Sequence, residues 1–151
     1  MIKTLSYDDV LLVPQYSDIR SRTEVSLESD LGNGLILSSP VLSSPMDTIS
    51  EAPMASALGI FGGAAIVHRY NTIQDQCRII RMSYEGAGNK INIGAAVGIS
   101  DDFLLRATML INAGATFLCI DVAHGHHILM KEALATLREE VGPNFHIMAG
   151  N

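Results

Sequence analysis

From residue 40 onward, short unbroken apolar runs alternate with amphipathic stretches, and this alternation restricts the fold more than any other feature. The runs are 40–43, Ala64–Val67, Ile91–Val97, Thr116–Ile120 and Phe145–Met148, about 25–30 residues apart. A strand that is apolar throughout is buried on both faces, as in a parallel sheet covered by helices. The intervening stretches read as helices over 51–59, 71–82, 101–113 and 127–141. Ser50, Asn71 (paired with Gln74 in a capping box) and Ser100 serve as N-terminal caps, and Gly114 and Gly142-Pro143 as stops. Phe103, Leu104, Ala107, Leu110 and Ile111 fall on one helical face, and so do Ile128, Leu129, Ala133, Leu134, Leu137 and Val141.

Two architectures satisfy this pattern, a doubly wound sheet and a (β/α)8 TIM barrel. No G-x-G-x-x-G fingerprint follows the first strand, and Gly94–Gly98 has the wrong spacing for one, which disfavours the dinucleotide-binding sheet. A barrel needs about 250 residues. The 151 residues here supply four β/α units and a fifth strand, so on the barrel reading residues 1–151 are the first half, the N-terminal part of a single catalytic domain. Before the alternation, Tyr7–Asp9 is an acidic turn leading into Val10–Pro14. Val25–Leu27 and Leu35–Leu37 read as strands joined through Gly32-Asn33-Gly34, an N-terminal hairpin closing one end of the barrel.

Composition narrows the function. The net charge of −6 argues against a nucleic-acid partner, which needs a basic face. It leaves room for a phosphorylated small ligand, because backbone N–H groups bind phosphate without net charge. Two cysteines, no CxxC and no signal peptide point to the reducing cytoplasm. The apolar runs are too short for a membrane span. Cys119 lies inside an apolar run and reads as a core residue, and neither cysteine stands at a strand end.

Polar clusters recur at the C-terminal ends of the strands, where barrel enzymes build their sites. On spacing alone, Ser43–Asp47 reads first as a polar loop with an Asp near a helix N-terminus. The functional alternative has a Ser hydroxyl binding phosphate or sugar and Met46 packing on a flat base. His68–Asn71 is either a surface turn with a cap or a cation and a His facing a nucleotide. Asp121 either caps the next helix or accepts hydrogen bonds from ribose hydroxyls. His124 and His126 have HxH spacing, but zinc needs a third ligand and no such set is visible, so no metal is expected. Gly150-Asn151 closes the series with a side chain that both donates and accepts.

Taken together, Tyr7–Pro14, Ser43–Thr48, Gly94–Gly98, Asp121–His126 and Met148–Asn151 resemble, in order and over the whole chain, the inosine monophosphate dehydrogenase / guanosine monophosphate reductase family. The resemblance implies a (β/α)8 barrel, a homotetramer, and a purine nucleotide monophosphate oxidised or reduced with a nicotinamide cofactor. It places Ser44, Met46 and Asn151 against the nucleotide and Asp121, Val122, Ala123 and His124 against the cofactor. The catalytic Cys, and any monovalent-cation site, would lie beyond residue 151, so the segment alone should be inactive. Ser44-Pro45-Met46 and His124-Gly125-His126 resemble the dehydrogenases, which convert IMP, NAD and water to XMP and NADH through a covalent Cys intermediate. Val122 and the direct join from Met82 to Lys90, without a regulatory insertion, resemble the reductases, which convert GMP and NADPH to IMP and ammonia. The dehydrogenase is the favoured expectation. The alternative of another class is a non-catalytic half-barrel module that binds nucleotide.

Overall fold

The computed structural model describes residues 3–88, 91–100 and 102–150. Five parallel strands form one sheet: β3 (Leu42–Ser43), β4 (Ala64–Val67), β5 (Asn92–Val97), β6 (Phe117–Asp121) and β7 (His146–Gly150). They lie side by side in sequence order. A doubly wound sheet reverses its order at a switch point, and none is present among the described strands. The chain is an α/β fold whose curled parallel sheet is consistent with a partial TIM barrel.

Helices α1 (Ala52–Ile60), α2 (Ile73–Ala87), α3 (Phe103–Ala113) and α4 (Ile128–Val141) follow the first four strands of this sheet. Each packs on the next, so they share one face of the sheet. The core there joins Val67, Ile93, Ala95, Val97, Leu118 and Ile120 to Ile80, Leu110 and Leu137 of the helices. The opposite face carries the alternate residues Ala64, Ile66, Ala96, Phe117 and Cys119, with Met148 packed against them. Period two along each strand separates the two sets.

Gly94 shows how tightly the second face is filled. It pairs in register with Phe117, and a Cβ at Gly94 would lie 2.3 Å from the Phe117 ring. Only a hydrogen leaves the fully buried ring its place. Leu35 and Leu37 complete this layer. Leu37 lies in a short antiparallel pairing of β1 (Ser29–Asp30) with β2 (Ile36–Leu37), and Leu35 directly precedes β2. Asn92, at the start of β5, donates to the Ile36 carbonyl at 2.9 Å, which fixes this pairing at the N-terminal end of the sheet.

Several local expectations are corrected. Val25–Leu27 is no strand; the residues just before it form a 3-10 turn, Arg22–Glu24. Glu51 rather than Ser50 precedes α1, and Asp102 rather than Ser100 precedes α3. Thr72 caps α2 by accepting from the Asp75 amide, displacing the Asn71–Gln74 box, and the helix runs on to Ala87 instead of Met82. In α4, Ile128 and Leu129 face solvent and Met130 is buried instead. The buried stripe of α4 is Met130, Ala133 and Leu137, spaced three and four residues apart. The apolar side chains of residues 7–16 pack on none of the described core, with Leu12 98% exposed. Among the described residues no helix is long and apolar enough to cross a membrane.

Candidate functional site

The loop between β3 and α1 is held by its own hydrogen bonds. The Met46 amide donates to the Ser44 carbonyl (2.8 Å), and the Met46 carbonyl accepts from the amides of Ile49 (3.2 Å) and Ser50 (3.0 Å). Ser50 is fully buried. Its hydroxyl bonds both the Ser43 hydroxyl (2.8 Å) and the Ser44 carbonyl. Thr48 adopts φ +60°, a left-handed conformation that costs a β-branched residue about 1–3 kcal/mol. Such a conformation persists only where its surroundings over-determine it, and these bonds do so. The sequence placed Ser50 as a helix cap; tertiary packing turned its hydroxyl back toward the strand end.

Ser44 opens onto a cavity of about 230 Å³ at the C-terminal ends of the strands, lined also by Ile66, Cys119, Asp121, Met148 and Gly150. Strand register produces this convergence. Phe117, Cys119 and Asp121 alternate onto one face of β6, and Cys119 and Asp121 pair with Met148 and Gly150 of β7. The half-buried Asp121 supplies a carboxylate, and Ser44 and the loop supply a hydroxyl and backbone groups. That set suits a ligand rich in hydroxyls. Burial, with the Asp121 charge adding to it, pushes the Cys119 thiol up to about 11, so it stays protonated and unreactive near neutrality.

At the end of β4, His68 is only 2% exposed. Its Nδ1 accepts from the Tyr70 amide at 3.2 Å. Its Nε2 faces Glu51 Oε1 at 3.2 Å and Asp47 Oδ1 at 3.7 Å. Asp47, Glu51 and His68 are close enough to hold a metal ion, yet the ring argues otherwise. With Nδ1 accepting, the neutral imidazole carries its proton on Nε2, the nitrogen a metal would need. The cluster reads as a hydrogen-bonded strut between β4 and the β3–α1 loop.

The next residue, Arg69, reaches the other way. Its Nη2 donates to the Asp121 backbone carbonyl at 3.2 Å. Its guanidinium lies over Gly98 at the end of β5, where a Cβ would stand 3.4 Å from Nη1. Among the described residues, Arg69 Nε and both polar side-chain atoms of Asn71 are buried without a partner.

The residues expected from the sequence are not all brought together. Ser44 and Asp121 share the cavity. Met46 is 52% exposed and lies outside the cavity lining. Val122 packs against the helix-side core. Ala123 and His124 are exposed, with the His124 ring edge-on to His127 at 6.2 Å. Asn151 lies outside the described residues. His124 and His126 join no potential metal group among the described residues. A second groove of about 510 Å³ runs along the start of α4, between His126, His127, Lys131 and Ala149. Sequence reasoning missed Cys119 as a cavity wall, although its spacing of two from Asp121 puts both on one face. It also left His68 undecided, because the carboxylates that meet it are 17 and 21 positions away.

The model of the IMP dehydrogenase / GMP reductase domain matches residues 4–151, and the chain belongs to this family. It is 28% identical to an inosine-5'-monophosphate dehydrogenase of Cryptosporidium parvum, over 99% of this chain and 46% of that protein. It is 29% identical to the corresponding enzyme of Borreliella burgdorferi, over 99% of this chain and 48% of that protein. A GMP reductase of Serratia proteamaculans is also 29% identical, over 97% of this chain and 43% of that protein. The chain thus spans about half the length of these relatives.

Proposed function

We propose that the complete protein is a homotetrameric purine-nucleotide oxidoreductase of the IMP dehydrogenase type, converting IMP, NAD and water to XMP and NADH. The observation that carries this reading is the convergence of Ser44 and Asp121 on one cavity at the C-terminal ends of a sequentially ordered parallel sheet. In this reading the Ser44 loop binds the nucleotide, the exposed Met46 thioether packs on the purine, and Asn151 is a further nucleotide-binding residue. Asp121 accepts from ribose hydroxyls, and Val122, Ala123 and His124 form the edge of the cofactor pocket. The strand-end carboxylate and the polar loop after it fit a nicotinamide dinucleotide, which when bound would take up the hydride.

The part this chain plays is positioning, which lowers a barrier by fixing geometry before reaction. The cavity is smaller than the roughly 300–1,000 Å³ of a typical ligand cleft, in keeping with one wall of a larger site. Covalent attack needs a thiolate. Cys119 is kept protonated, and the Cys77 thiol is also pushed up by burial, so the nucleophile would come from beyond residue 151.

A second reading, GMP reductase, has an observation of its own. The two dehydrogenases align over 189 and 196 positions to this 151-residue chain and so carry residues with no counterpart here, whereas the reductase aligns over 151 positions. Incubating the full-length protein with IMP and NAD, and separately with GMP and NADPH, separates the two. Rising absorbance of reduced nicotinamide in the first mixture is expected; falling absorbance in the second alone would make it a reductase, and no change in either would refute both.

A further inference from the structure

We propose that the His68-Arg69 pair at the end of β4 is a two-way positioning device, with His68 setting the β3–α1 loop and Arg69 setting the end of β6. This proposal rests on the functional reading above, in which those two segments hold nucleotide and cofactor respectively.

The geometry is specific to each residue. His68 is almost wholly buried, and its ring is oriented by the Tyr70 amide at Nδ1. That leaves Nε2–H to donate toward Glu51, with Asp47 next to it. Both carboxylates belong to the segment that carries Met46 and the strained Thr48, so the bond reaches the nucleotide side of the site. Arg69 crosses the end of β5 in the space that Gly98 leaves open and donates to the carbonyl of Asp121. Tyr70 flanks the guanidinium, with 5.8 Å from Cζ to the ring centroid, within the range of a cation–π contact. The Arg69 bond engages the backbone of Asp121, leaving the carboxylate to face the cavity. Adjacent residues on one strand end therefore point at two different half-sites.

A structural role in general stability would disturb both half-sites together; a positioning role predicts that they separate. In the full-length protein, His68→Phe keeps the ring volume and removes both nitrogens. It should raise KM for the purine nucleotide about tenfold while KM for the nicotinamide cofactor moves less than about twofold. Arg69→Gln should show the reverse, and Arg69→Lys, which keeps a long cationic donor, should recover part of the loss. Backbone hydrogen exchange gives a readout independent of activity: His68→Phe should speed exchange at Ile49 and Ser50, and Arg69→Gln at residues 122–127. Both KM values moving together in each variant, or the same exchange pattern in both, would overturn the proposal. If the wild-type protein turns over neither nucleotide pair, the functional reading fails on its own, and segregated exchange still supports the two-way positioning while uniform exchange refutes it.

Discussion

Replacing Gln76 by leucine tests whether the site is held from the helix side of the sheet. Gln76 is fully buried in α2. Its Nε2 donates to the carbonyls of Val67 (3.2 Å) and Ala96 (2.9 Å), and its Oε1 accepts from Arg106 Nη1 at 2.8 Å. Val67 immediately precedes His68, and Ala96 lies two residues before Gly98, so one amide ties together the two strand ends beneath the Arg69 guanidinium. Leucine has a similar volume, so the substitution removes hydrogen bonds with little cavity. Two neutral bonds at about 1 kcal/mol each and one to a cation at about 1.5 kcal/mol give a loss near 3–4 kcal/mol. Arg106 keeps its bonds to the Asn71 carbonyl and to Asp102, which is why the charged bond is taken at its lower end. A folded domain has about 5–15 kcal/mol in total, and the melting temperature of the full-length protein should fall by roughly 10 °C. Urea unfolding of wild type and variant measures the difference. A loss below about 1 kcal/mol would refute the argument that these bonds carry the strand ends.

Two further outcomes follow from the inner face of the sheet. Gly94→Ala should destabilise by about 1–3 kcal/mol, because its Cβ meets the buried Phe117 ring and overpacking forces a shift; the double variant with Phe117→Leu should recover part of the loss in the same unfolding assay. Cys119 should resist iodoacetamide at pH 8 in the folded protein and react once denatured. Its thiol is raised from 9.0 to about 11 in the fold, so the folded state keeps a proton that the unfolded chain sheds. Its contribution is therefore complete below pH 9 and lost as pH rises from 9 toward 11; a Cys119→Ala variant should show a flatter decline over that window.

The fold was largely legible in the chain, because burial on both faces demands unbroken apolar strands and the helices between them show one apolar side. Ala64–Val67 and the Gly114 helix stop are where local pattern places them. Helix starts were less legible: Ser50, Asn71 and Ser100 all suit a cap chemically, and position in space decided which residue serves. Ser50 is taken by the β3 end, and Thr72 is the residue whose hydroxyl meets a free helical amide. Ile128 and Leu129 failed for a related reason, since the first turn of α4 carries the apolar run Ile128-Leu129-Met130 and packing chose Met130 from it.

What the sequence alone determined, then, is the alternation of strand and helix, the burial of the strands on both faces, and the family motifs at the strand ends. An unbroken apolar run is a property of the local chain and needs no partner to be read. What only the tertiary structure decided is which strand ends are neighbours and which side chains meet across them. Sequential strand order brings Ser44 to Asp121 across 77 positions of chain, His68 to Glu51, and Arg69 to the Asp121 carbonyl. Those contacts depend on the lateral register and curl of the sheet, which pairwise hydrogen bonding between distant segments sets and no local window contains.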